Sequence, residues 1–389
     1  MAGPYTEAHD LFRKTVREFA EKELRPHVDQ WEEDELFPRW VFERAGELGI
    51  LGAHYPEAHG GSGGDYWFSV AKAEELPRMG CAGVPMALMV QSDMATPVIS
   101  DIGTPDQIAE FLAPALRGEK IAALGVSEPG CGSDVAAMRT WARSDGDDYI
   151  INGQKTFITN GTRADFITLM LKTQPEAGHA GVSIVLFPTD TKGFTISRKL
   201  KKIGNWSSDT AELFFEDCRI PKRLLLGEEG EGFRYLMQNF QSERLIGSAS
   251  AVAGSRLVLD EGIAYGRDRV AFGKPILKRE VWQHTIVDLA TKLEAAEALV
   301  YRATERYNHE RYIAHEPVSF ETTRLISMCK AYVGDIISEV ADAMLQFHGG
   351  WGYIEEYRIA RAWRDQRLFR LGGGTTETLR YYIAKLMGL

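Results

Sequence analysis

The sequence predicts an α+β protein, mainly α, in three parts: helices, then a β domain, then helices. Three observations carry this. Apolar residues recur at helical spacing from Tyr5 to about Leu116. Between about Ile121 and Leu226 the pattern shortens to strand runs broken by turn dipeptides. From Gly232 onward the helical spacing returns. No helix-length apolar stripe interrupts the middle stretch, so its strands form a domain of their own rather than βαβ units. The divisions fall at 1–118, 119–228 and 229–389.

The elements follow in order. Leu11, Phe12, Val16, Phe19, Ala20 and Leu24 recur among charges as a helical stripe, which Pro26 disturbs. The glycine-rich run from His59 to Asp65 is a loop, and a second helix follows from about Tyr66 to Leu76. Tyr149–Ile151 runs into Asn152-Gly153, and Thr156–Thr159 runs into Asn160-Gly161; both dipeptides are hairpin-turn signals. Further strands are expected at 166–171, 182–187, 194–197 and 211–215. Leu236, Phe240, Ile246, Val258, Leu289, Leu293, Leu299 and the segment 323–345 then carry helix-spaced apolar residues.

Composition narrows the function. Lys+Arg number 45 against 55 Asp+Glu, a formal net charge of −10, which is too acidic for general nucleic-acid binding. With 44% hydrophobic residues in a chain of 389, the protein is too apolar to be disordered and has ample core. Cys81, Cys131, Cys218 and Cys329 are isolated, which disfavours a disulfide or zinc scaffold and fits a reducing compartment. The N-terminal stretch shows no signal-peptide core, and no apolar run reaches the roughly 18–20 residues of a membrane span. A cytoplasmic enzyme is expected, with a mitochondrial matrix enzyme lacking its transit peptide left open.

No GxGxxG follows a strand, and no Walker loop, HExxH, GxSxG or clustered metal-ligand spacing is present, so no metal site is expected. Three glycine-rich segments stand out. Gly125–Asp134 (GVSEPGCGSD) either lets backbone N–H groups approach a flat or anionic ligand or is an ordinary Gly-Pro turn. Gln346–Tyr353 (QFHGGWGY) is either backbone packed against something rigid or a helix end with its loop. Leu371–Glu377 (LGGGTTE) leads into a helix whose free N–H groups suit an anion, although Thr376 equally serves as a plain N-cap. Two charged features add to these. Glu243-Arg244 sits among apolar Leu236, Phe240, Leu245 and Ile246, as a buried base or as a surface pair. Arg267, Arg269 and Lys274 surround Phe272 as a local basic patch, either a phosphate site or an ordinary solvated face.

Together these segments resemble the acyl-CoA dehydrogenase family over nearly the whole chain. GVSEPGCGSD is similar to the family's first signature, with Cys131 where Ala or Gly is more usual. The spaced run Gln346…Gly349-Gly350…Gly352-Tyr353…Glu356…Arg361…Asp365 is similar to its second. Asn160-Gly161, Lys201–Gly204, Phe214…Glu216-Asp217 and Pro221 stand in family order. The resemblance implies an N-terminal helical domain, a middle β-barrel-like domain and a C-terminal four-helix bundle. It implies an FAD enzyme of fatty-acid β-oxidation that converts acyl-CoA thioesters to trans-2-enoyl-CoA and passes electrons to an electron-transferring flavoprotein.

The chemistry requires a carboxylate to remove the α proton while the β hydrogen leaves as hydride. Many members carry that base in a C-terminal Glu-Gly-Thr motif, where this chain has Gly373. Long-chain and isovaleryl types place it on an earlier helix before an Arg, the position of Glu243. The resemblance therefore implies Glu243 as base, with Arg244 and Ser133 toward the CoA substrate. It implies Val126, Ser127, Ser133, Phe157, Thr159, Thr375 and Glu377 at the FAD of the same subunit. Arg269, Phe272, Gln346 and Gly350 would reach the adenine half of a neighbour's FAD, which implies at least a dimer and usually a tetramer. Glu280 stands where Gln is often found on that side, which puts that contact in doubt. Medium-to-long or branched acyl chains are expected; Ala87, Gln91 and Ala95 are candidates to face the tail, and the small residues 247–251 permit a roomy pocket or close helix packing. A same-fold oxidase using O2 and a silent CoA-binding flavoprotein are the competing readings.

Overall fold

The computed structural model describes residues 4–389; Met1–Gly3, the start of the stretch judged for a signal peptide, lie outside the described residues. Helix α1 (Glu7–Glu18) starts at a capping box, in which the Thr6 side chain accepts from the His9 N–H and the Thr6 N–H donates to His9 Nδ1. It continues through a wide turn over Phe19–Leu24 and a tight turn over Arg25–His27, where Pro26 supplies no N–H, into a short helix over Val28–Glu33. Helices α2 (Trp40–Glu47), α3 (Tyr66–Glu75) and α4 (Gly83–Met89) follow. Asp65 caps α3 by accepting from the Trp67 N–H.

The middle domain is one eight-stranded sheet. Its strands are β1 (Ala122–Gly125), β2 (Trp141–Asp145), β3 (Asp148–Thr159), β4 (Phe166–Lys172), β5 (Val182–Pro188), β6 (Phe194–Lys199), β7 (Thr210–Pro221) and β8 (Leu225–Leu226). The spatial order is β6-β7-β3-β2-β4-β5-β8, with β1 parallel to β4. Two expectations are corrected here. Asn160-Gly161 turns the chain but closes no hairpin, because β3 pairs with β2 and β7 and not with β4. Asn152-Gly153 makes no hairpin turn: β3 runs straight through it with a shift in register against β7. The Asn152 side chain pairs with Asp217 across the strands, and a Cβ on Gly153 would lie 2.5 Å from Thr140 Oγ1. The dipeptide serves a close approach between strands rather than a reversal.

The last third holds α5 (Gly232–Asp268), a short hairpin of β9 (Val270–Ala271) and β10 (Lys274–Pro275), α6 (Glu280–Asn308), α7 (Phe320–His348), α8 (Arg358–Gln366) and α9 (Thr376–Leu386). Helices α5, α6 and α7 share one core with α3, through Tyr66, Leu245, Leu293, Ile326 and Met344 among others. A second core fills the sheet, and a third lies among the first helices. Among the described residues no helix is long and apolar enough to cross a membrane.

Candidate active site

Glu243 stands in the first third of α5, whose position is fixed from two sides. Asn239 donates to the Met94 carbonyl (2.7 Å), and the Tyr66 hydroxyl donates to the Ser242 carbonyl (3.0 Å). The Glu243 carboxylate faces the turn that precedes α9. A Cβ on Gly373 would lie 3.3 Å from Glu243 Oε1. Burial raises the Glu243 carboxyl above its ordinary range, and the Arg244 and Lys330 cations pull it back. Glu243 is only partly exposed and its carboxyl is poorly solvated, which disfavours the surface-pair alternative. Arg244 donates from Nε to the Gly373 carbonyl (3.0 Å).

The turn itself needs glycine. Gly373 and Gly374 have φ of +67° and +100°, a region that side chains enter at a cost. The helix that follows is capped by Thr375, which accepts from the Thr378 N–H at 3.2 Å, while Thr376 is fully buried. Thr375 is thus the N-cap, and the alternative at Thr376 is corrected. Glu377 lies in the first turn, where helix N–H groups hold its carboxyl below the ordinary range. The same turn meets the first signature, because Thr378 donates to Ser133 Oγ (3.3 Å).

That signature is anchored to the sheet. The Thr156 N–H donates to the Ser127 carbonyl (2.9 Å), and buried Lys155 donates to the Val126 carbonyl and to Glu128. Beside it β3 bulges, and Phe157 is held at φ +61° with 69% of its surface exposed. Thr159 follows two residues on, paired with Thr210. A large apolar ring held outward in a strained backbone has no role in the core, and such strain collects at ligand sites. Val126, Ser127, Phe157 and Thr159 thus stand at one end of the sheet, with Ser133 tied to the turn of Thr375 and Glu377.

A second concavity, of about 590 Å³, gathers Arg269, Phe272, Gln346 and Gly350 with Tyr265, Trp282 and Trp351. These segments are distant in sequence and meet where α5, the β9–β10 hairpin and the end of α7 converge. Phe272, at the hairpin tip, has φ +51° and is 95% exposed. Glu280 lies outside the groove lining, exposed in the first turn of α6. The groove lies far from the Glu243 site of its own chain. Arg269, the cap of this continuous helix, follows Glu243 by 26 positions, about 39 Å at the helical rise.

Three family models cover the chain: the acyl-CoA dehydrogenase N-terminal domain over residues 6–119, the middle domain over 123–218 and the C-terminal domain over 230–388. The chain belongs to the acyl-CoA dehydrogenase family. It is 39% identical over 383 residues to the mitochondrial long-chain specific acyl-CoA dehydrogenase of Sus scrofa, covering 98% of this chain and 86% of that protein. The acyl-CoA dehydrogenase structure from Geobacillus kaustophilus superposes with a TM-score of 0.94 at 38% identity over the whole of both chains. An acyl-CoA dehydrogenase complexed with FAD from Bacillus anthracis gives 0.91 at 28% identity, over 99% of this chain and 67% of that one. This chain is accordingly an acyl-CoA dehydrogenase of the FAD-dependent kind. Its outward Phe157, its aromatic groove and the helix N-terminus at Thr375 fit a flat, diphosphate-bearing cofactor.

Other expectations resolve as packing. Gln91 is fully buried, donates to the Ala115 and Lys120 carbonyls and accepts from the Ala122 N–H, so it is not free to face a tail. Ala87 and Ala95 are likewise fully enclosed. At Gly247 the small residue admits a close neighbour, since the Phe369 ring would lie 2.9 Å from a Cβ there. Sequence reasoning passed over Lys330, which is only 1% exposed. A signal existed: Lys330 falls on the same helical stripe as Ile326, Val333 and Ile337.

Proposed function

We propose that this enzyme dehydrogenates medium-to-long or branched acyl-CoA thioesters to trans-2-enoyl-CoA, with Glu243 as the base. The observation that carries this is the Glu243 carboxyl, desolvated and pressed against the turn where other members hold their base. A carboxylate in so dry a site takes a proton from a weak carbon acid more readily than one in water. Arg244, fixed on the Gly373 carbonyl, and Ser133 border the path of the CoA chain. Val126, Ser127, Ser133, Phe157, Thr159, Thr375 and Glu377 hold the cofactor of the same subunit, and Arg269, Phe272, Gln346 and Gly350 hold that of a partner. Bound FAD would supply the acceptor for the β hydride.

The oligomer is then at least a dimer, and a tetramer on the family pattern. Electrons pass on to an electron-transferring flavoprotein in the cytoplasm. The base position and the long-chain relative support the acyl preference, which kinetics over a chain-length and branching series would test. The base is tested with FAD-loaded Glu243→Gln, which should keep its flavin spectrum and lose roughly 10²- to 10⁴-fold in turnover. Retained turnover would place the base elsewhere. Peroxide release matching turnover would instead make this an oxidase.

A further inference from the structure

We propose that Lys330 is a positioning residue for this reaction: its ammonium holds the Gly374 carbonyl and, with Arg244, sets the charge state of the Glu243 carboxylate. The proposal rests on Glu243 being the base. Lys330 projects from α7 into the space between α5 and the glycine turn and donates from Nζ to the Gly374 carbonyl. Arg244 donates to the carbonyl one residue earlier. Two cations from two helices thus clamp consecutive carbonyls of one turn. Lys330 Cε, Arg244 Cγ and Glu243 Oε1 all lie within 4 Å of the point where a Gly373 side chain would begin.

A neutral carbonyl does not compensate a buried ammonium, so a counter-charge is needed. The charged groups around Lys330 are Arg244 and Glu243 on α5, Glu377 on α9 and Asp335 on its own helix. Asp335 is already shared by Arg370 and Arg380, and Glu377 is solvent-exposed at a helix N-terminus. Glu243, whose own facing groups are Arg244 and Lys330, is the desolvated acid that remains. Burial, and then the Arg244 cation, bring Lys330 down to about 8, so the ammonium persists at neutral pH. An ammonium near the carboxylate favours its ionised form. Without it, Glu243 must reach a higher pH to become a base.

The test uses FAD-loaded Lys330→Met, Lys330→Gln and Lys330→Arg beside Glu243→Gln, with the best acyl-CoA of a chain-length series. Gln keeps a donor for Gly374 without charge, and Arg keeps the charge. In the Met and Gln variants the acid limb of kcat/KM should move up by about one pH unit, and in the Arg variant it should stay. An unmoved limb in Lys330→Gln overturns the proposal. So does failure of both the Met and Gln variants to hold FAD, which would leave Lys330 a structural clamp. An active Glu243→Gln would refute the base assignment instead, a separate failure.

Discussion

Replacing Gly373 by Ala perturbs the turn and the base at one atom. The added methyl would sit 3.3 Å from Glu243 Oε1, a contact that forces the carboxylate back by a few tenths of an ångström. The backbone at φ +67° adds strain of roughly 1–2 kcal/mol for any residue with a Cβ. Misplacing a reacting group by about 1 Å can cost some 10²-fold. A shift of a few tenths, added to a strained turn, should therefore lower kcat roughly tenfold, or about 1.4 kcal/mol. The thermal midpoint should fall by a few degrees. Gly372→Ala is the internal control, because its nearest neighbour lies at 3.8 Å on Leu368, an ordinary contact. Stopped-flow flavin bleaching under anaerobic conditions reads the chemical step directly. Equal rates for the two alanine variants would refute the fit between turn and base.

Two further outcomes are expected. Glu243→Gln chains and Arg269→Glu chains should each be inactive alone, yet random co-assembly should restore about a quarter of wild-type activity, since a mixed dimer carries one site free of both changes; no restoration would mean that the groove serves no partner. Phe157→Gly should leave apoprotein stability nearly unchanged, because relief of roughly 1–2 kcal/mol of strain offsets the about 1 kcal/mol entropic cost of glycine, while FAD retention on dilution falls; unchanged retention would detach Phe157 from the cofactor.

The three-part texture was legible because helix and strand periods are local, and the strand from Thr156 to Thr159 could be read for the same reason. The conformation of Phe157 could not, because a register shift belongs to the pairing of β3 with β7 and not to either sequence alone. Asn152-Gly153 misled for a related reason: glycine there answers to Thr140 across the sheet. Local sequence leaves Glu243 as either a buried base or a surface pair, and only the tertiary contact between α5 and the turn makes it a neighbour of Gly373. Lys330 was hidden by the habit of placing lysine at the surface. The groove residues were nominated by resemblance, and the fold brings Arg269 and Phe272 together with Gln346 and Gly350.

Helix α5 carries the acid in its first third and the groove at its far end, an arrangement that would make cofactor and partner linked ligands. If each groove closes over the flavin of the facing chain, a lone chain has lost both the far half of its own cofactor site and the use of its groove. FAD then raises the affinity between chains by the same factor that a second chain raises the affinity for FAD. Dilution should strip flavin and dissociate the oligomer together, and excess FAD should restore both.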